Sequence, residues 1–190
     1  MSTFNVYFGI GVDHILSADG LDHILFILLL GLGYSLHQWK RALGLVTAFT
    51  LAHSLTLMLA TFQWIQVSAE LVEFLIPVTI SITALFQLVT SFRSTKTSWS
   101  FLTQYALVAS FGLLHGMGFS NLLASLLNDS GDLVVSLFAF NVGIEVGQLV
   151  IVGAVLLINF LVHRLKWVPM DRWTAILAGG VFLFSLSYYF

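Results

Sequence analysis

The stretch HILSADGLDHILFILLLGLG, residues 14–33, places two histidines and two aspartates directly before an aliphatic run at 24–30. Such a run is at home in hydrocarbon, whereas the polar decapeptide before it is costly there. The whole chain repeats this contrast. Hydrophobic residues make up 58% of its 190 positions and charged residues only 8%, against roughly 25% charged in ordinary soluble domains. That composition predicts an all-α integral membrane protein, a single transmembrane helical domain over 1–190 in the lipid bilayer. A net charge of −2 gives no support to nucleic-acid binding. With no cysteine in the chain, a bound metal must be held by His, carboxylate, amide or hydroxyl groups. These donors suit Ni, Co or Zn better than Cu(I).

A bilayer core takes roughly 20 apolar residues per helix, which predicts a bundle of about six transmembrane helices near 20–36, 42–63, 70–92, 100–127, 132–162 and 173–190. The fourth and fifth are long and contain Gly-rich stretches, HGMGFS at 115–120 and NVGIEVG at 141–147, where a kink or unwinding would absorb the excess. The segment before Gly20 is too short to span alone and reads as a short interfacial or re-entrant piece. It has no basic residue, so it lacks the start of a cleavable signal and belongs to the mature protein. All seven basic residues fall in alternate loops: Lys40 and Arg41, Arg93 and Lys96, then Arg164, Lys166 and Arg172. The positive-inside rule therefore puts these loops in the cytoplasm and both termini outside, in a multi-pass inner-membrane protein.

Depth then sorts the polar residues. At about 1.5 Å per residue, His14, Asp19, Asp22 and His23 fall at the outer end of the first span. His53 falls near or just outside the midplane, and His115 in the outer half. Asn141, Glu145 and Gln148 run from the outer half to the midplane, with Asn141 and Glu145 on one helix face. Glu73 lies one turn inside the third span, where it faces either headgroups or the site. Glu70, Asp129 and Asp132 read as interfacial or loop charges, and His37 and His163 as solvated flanks of basic loops. In the opposite half, Gln87, Gln104 and Asn159 are the main polar residues within spans.

Ionisable groups cost about 2.5–3.5 kcal/mol each to insert on translocon scales. Several at one depth therefore imply compensation. Mutual pairing in a structural network is one form of it. The other is a divalent cation, for which neutral imidazole and carboxylate are natural ligands. Asp22 and His23 are neighbours, so on a regular helix they diverge by about 100° and one can orient the other rather than share a ligand role. FTLAH (49–53) and FGLLH (111–115) share one pattern on helices of the same direction, and Gly112, Gly116 and Gly118 allow close backbone approach.

Four blocks in order, HILSADGLDHILF (14–26), FTLAHSLTL (49–57), FGLLHGMGFSNLL (111–123) and FNVGIEVGQL (140–149), make the chain resemble the HupE/UreJ family, specifically its second, more divergent branch. The better-known members carry H-x5-D-H in the first helix, whereas seven residues separate His14 from Asp22 here. The resemblance implies a nickel or cobalt permease, with metal roles for His14, Asp22, His23, His53, His115 and Glu145. Asp19, Glu73, Asn141 and Gln148 are candidates for supporting the site or its pathway. A zinc-dependent intramembrane hydrolase with an outward-facing site is an alternative, with Glu145 or Asp22 as general base and Ser54 or Asn141 as oxyanion donor. A metal sensor or structural membrane protein is a third.

The depth assignment predicts that His37→Leu and His163→Leu leave metal bound per mole of purified protein at the wild-type value. Loss of metal in either variant would place that histidine in the site and overturn the assignment.

Overall fold

Ser2, Ser68 and Asp132 each open a helix by accepting a hydrogen bond from a backbone N–H three residues on, satisfying one of the donors a helix start leaves free. The structure, a computed structural model, describes residues 2–92, 100–118 and 132–187. These form seven α-helices: α1 (Thr3–Leu16), α2 (Leu21–Leu32), α3 (Trp39–Thr61), α4 (Ala69–Ser91), α5 (Phe101–Gly118), α6 (Leu133–Leu165) and α7 (Met170–Leu186). Short 3-10 turns at Ala18–Gly20 and Leu36–Gln38 lead into α2 and α3. No strand occurs among the described residues.

Three stretches are long and apolar enough to cross a membrane: Leu36–Thr61, Ala69–Ser91 and Leu133–Leu165. A fourth qualifies when α1 and α2, bent by 66° at their junction, count together. Large apolar side chains such as Leu51, Ile82, Val150 and Leu183 point outward, the pattern of helices solvated by lipid. Exposed Trp39 and Trp167 stand at one end of the bundle and Trp64 at the other, where interfacial aromatics belong.

The first expected span, 20–36, is corrected. α2 has only 12 residues, about 18 Å of rise, well short of a ~30 Å hydrocarbon core. The segment before it, expected to be interfacial or re-entrant, forms the 14-residue α1, which docks along α6. Gly11 lies against the Phe140 carbonyl, Gly143 against the Phe8 carbonyl, and Ile15 covers Gly147. The glycines of NVGIEVG therefore provide contact surface for α1, and α6 continues unbroken through them for 33 residues. Between α1 and α2, Gly20 sits against the carbonyls of His14 and Ile15 where no side chain would fit. That contact lets the chain turn sharply.

Contacts also fix directions. Gly31 of α2 meets Val155 of α6, so α1 and α2 together run alongside α6. α3 runs opposite to them, with Thr47 bonded to Glu145 and Ser54 to Asn141. α5 lies parallel to α3: Gly44 meets Tyr105, Gly112 the Phe49 carbonyl, and Gly116 the His53 carbonyl and Thr56. α4 and α7 are antiparallel, joined by the Ser81–Ser185 hydroxyl pair at 2.7 Å. Lys40, Arg41, Arg164, Lys166 and Arg172 consequently collect at one end of the bundle; Arg93 and Lys96 lie outside the described residues.

Because α2 ends inside the bundle, its last carbonyls need side-chain partners. Gln87 Nε2 donates to the Leu29 carbonyl at 2.9 Å, and Asn159 Nδ2 to the Gly31 carbonyl at 3.0 Å. Trp173 Nε1 donates to Asn159 Oδ1 at 3.1 Å. Gln87 and Asn159, two of the three main polar residues of this half, are caps for a short buried helix.

Close α3–α5 approach at Gly116 predicts that Gly116→Ala destabilises by about 1–3 kcal/mol through overpacking. Gly153, with nothing within 4 Å of where a Cβ would stand, provides the control: Gly153→Ala should leave the thermal midpoint in detergent equal or higher, since Ala is the better helix former. Equal midpoints for both variants would contradict the packing described.

Candidate metal centre

Four helices bring one imidazole each to a common point: His14 from α1, His23 from α2, His53 from α3 and His115 from α5. Ring centroids lie 5.0 Å apart for His14–His23, 4.4 Å for His23–His115 and 6.1 Å for His23–His53. Phe49 packs against His23, His53 and His115, while Phe111 lies 4.0 Å from His115 and stacks on Phe26. These phenylalanines wall the cluster with hydrocarbon. Composition alone marked them only as apolar packing.

Asp22 ties the cluster together. Its Oδ1 accepts from both the backbone N–H and the Nδ1–H of His23, each at 2.8 Å, and its Oδ2 lies 2.8 Å from His115 Nε2. The neighbours expected to diverge are thus in direct contact, because Asp22 sits in the first turn of α2 and folds back over its own backbone. Ligand atoms of Asp22, His23 and His115 all fall within 4.8 Å of one another.

Proton counting shows what this arrangement lacks. With Nδ1–H of His23 held by Asp22, a neutral ring presents a lone pair at Nε2, and that atom is buried without a hydrogen-bond partner. A carboxylate–imidazole pair with the distal nitrogen free is the geometry that supports metal ligands. His115 Nδ1 lies 3.2 Å from the Phe111 carbonyl, which takes a donor there. The contact to Asp22 is the shorter, so a neutral His115 donates its Nε2–H to Oδ2 at 2.8 Å and only a doubly protonated ring satisfies both acceptors. His53 is fully buried and neither ring nitrogen has a partner. An unmade buried hydrogen bond costs about 1–3 kcal/mol per group, so these nitrogens fit a cation or ordered water. The donors, imidazole nitrogen and carboxylate oxygen, suit a borderline divalent ion.

The other expected residues lie around this centre. Glu145 Oε1 accepts from Thr47 at 2.8 Å, Gln148 Oε1 from Thr50 at 3.0 Å, and Asn141 pairs with Ser54. Together they form a hydrogen-bonded seam between α3 and α6. Glu145 is therefore beside the converging ligand atoms and not among them. Asn141 Nδ2 also donates to the Leu137 carbonyl, and Ser54 Oγ to the Thr50 carbonyl. Gln148 is fully buried with its Nε2 unpartnered. Asp19 lies in the 3-10 turn between α1 and α2. Glu73 reaches the centre indirectly: with Asp22 it lines a cavity of about 330 Å³ between α2, α4 and α7, closed by Leu25, Ile80 and Ser185. Asp22 is the partly open member of the cluster, at 24% exposure against 3% or less for its two histidine partners. His37 and His163 are exposed. Asp129 is outside the described residues.

The class of protein defined by these features is all-helical, with helices able to cross a membrane and a buried histidine–carboxylate cluster that could hold a metal ion. The family model described as HupE / UreJ protein matches residues 1–190, and the chain belongs to that family. No curated protein and no solved structure matches it.

If Asp22 orients His23 and balances a cation, Asp22→Asn should lower affinity for Ni or Co roughly 10–100-fold, measured by calorimetry on purified protein. His53→Ala should lower it as well. Unchanged affinity in both variants would mean that these groups do not hold the ion.

Proposed function

We propose that this protein is a permease for a divalent transition-metal ion of the nickel–cobalt class, carrying it inward across the cytoplasmic membrane. The observation that carries this reading is the meeting of four imidazoles and one carboxylate, with buried nitrogens of His23 and His53 lacking partners. A structural network would satisfy its own hydrogen bonds; this one leaves atoms for an ion. The HupE/UreJ family is linked to nickel and cobalt transport, which supports the choice of cargo.

In this reading the whole chain is one transmembrane unit with six crossings: α1–α2 as a broken span, then α3, α4, α5, α6 and α7. The basic end faces the cytoplasm, and both termini face outside. Glu73 and Asp22 draw a hydrated cation into the cavity beside α4. His23, His115 and His53 then exchange ligands with its water, and His14 closes the cluster from α1. Glu145 and Gln148 hold α3 against α6 and so fix the position of His53. Broken helices meeting near mid-bilayer are a recurrent way to build transporter sites.

A metal-dependent hydrolase could use the same cavity, but its general base and oxyanion donor fit less well. Glu145 is engaged by Thr47, and the Ser54 and Asn141 donors are directed to backbone or to each other. Asp22 is committed to two histidines.

Proteoliposomes containing the purified protein should take up Ni or Co down its gradient, and His23→Ala should reduce the rate to that of empty vesicles. Wild-type protein that binds the ion but never moves it would overturn the permease reading.

A further inference from the structure

A second cavity, about 300 Å³, opens at the opposite, basic end of the bundle between the ends of α2 and α4 and the starts of α5 and α7. Its lining includes Tyr34, Gln87, Thr90, Gln104, Asp171 and Thr174, a polar set for so apolar a chain. At roughly 30 Å³ per water it has room for on the order of ten waters, enough for a hydrated cation. Tyr34 donates to Gln104 across it.

The two cavities lie end to end along one groove. On α4 the first is lined by Glu73, Ile76, Pro77 and Ile80, and the second by Thr83, Phe86, Gln87 and Thr90. These positions recur at helical spacing on a continuous face. On α2 the boundary falls between Leu25 and Leu30, and on α7 between Ser185 and Thr174. Apolar residues at these boundaries, Leu29 on α2, Ile80 and Ala84 on α4, and Ala178 and Val181 on α7, belong to one buried apolar cluster. Ile80 and Thr83 are three positions apart, about 4.5 Å along α4. On α4 the partition is therefore about one helical turn thick, while on α7 eleven positions separate Thr174 from Ser185.

Each cavity carries one or more carboxylates in its lining, Asp22 and Glu73 in the first and Asp171 in the second, and none of the described basic residues. Among the described residues at the basic end, Lys40, Arg41, Arg164, Lys166 and Arg172 would repel a cation, while Asp171 lines the cavity itself. Pro77, inside α4 just before the partition, removes a backbone donor to the Glu73 carbonyl, and proline is a usual site of helix bending. Pro77 thus stands one turn before the level at which the two linings meet on α4.

We propose that the second cavity is the exit vestibule for the divalent cation, reached from the histidine cluster when the Leu29–Ile80–Ala84–Ala178–Val181 layer opens, with Asp171 as its carboxylate contact. This rests on the permease reading above. The absence of native cysteine makes single-thiol accessibility a direct test. Ile76→Cys reports on the first cavity, Thr90→Cys and Thr174→Cys on the second, and outward-facing Ile82→Cys on lipid-exposed surface.

In oriented membrane vesicles, a membrane-impermeant methanethiosulfonate should modify Thr90→Cys and Thr174→Cys from the basic side at least tenfold faster than Ile82→Cys. Ile76→Cys should react from the other side. Modification at Thr90→Cys should also abolish Ni or Co uptake while leaving Ni or Co binding by the solubilised protein unchanged. If wild-type protein moves the ion but both second-cavity thiols react no faster than Ile82→Cys, or their modification leaves uptake intact, the exit assignment alone is wrong. If wild-type protein moves no ion, the permease reading fails and the assignment fails with it.

Discussion

A carboxylate placed among apolar helices must be balanced where it stands, and Asp22 is that carboxylate. It binds His23 through one oxygen and faces His115 through the other, joining α2 to α5 through charge-assisted contacts. Those contacts are strong because water is scarce around them. They do not complete the balance. His23 Nε2 and both nitrogens of His53 stay without partners, so the centre leaves open positions that a cation or ordered water would fill.

Much of the surrounding architecture makes room for this centre. A straight first helix would carry His14 and His23 past each other; the turn at Gly20 brings them to 5.0 Å between rings. Gly112 and Gly116 let α5 approach α3 closely enough for His115 and His53 to share one pocket. The turn at Gly20 leaves α2 short, and its last carbonyls are then capped by Gln87 and Asn159. Polar residues in both halves of the bundle thus follow from a single interruption of the chain.

The sequence made the helical class legible because apolar runs long enough to cross a bilayer have few other uses. It also identified the four histidines, since imidazoles at similar depth on separate spans are unlike scattered core residues. The break in the first span was partly hidden. Composition shows an apolar run after Gly20, but not that α1 has a docking groove on α6 formed by Gly143 and Gly147. The same glycines read as an interruption in α6 because a one-dimensional pattern cannot say whether a glycine weakens its helix or receives another. Glu145 was drawn toward the centre by its depth and by the family resemblance. Rotation about the helix axis, set by its bond to Thr47, turns it into the α3–α6 seam. The expectation that one of Asp22 and His23 orients the other matches their contact at 2.8 Å, although ideal helical angles do not describe a side chain that folds back over a helix start.

In the proposed centre, His23, His53 and His115, organised by Asp22, form the coordination environment of a divalent ion. X-ray absorption spectroscopy of the protein loaded with one equivalent of Ni reads that environment directly. The expected first shell contains at least two imidazole nitrogens, with the multiple-scattering signature of the rings, and loses imidazole in His53→Ala and His115→Ala. A shell of oxygen alone, or one unchanged by these substitutions, would contradict it.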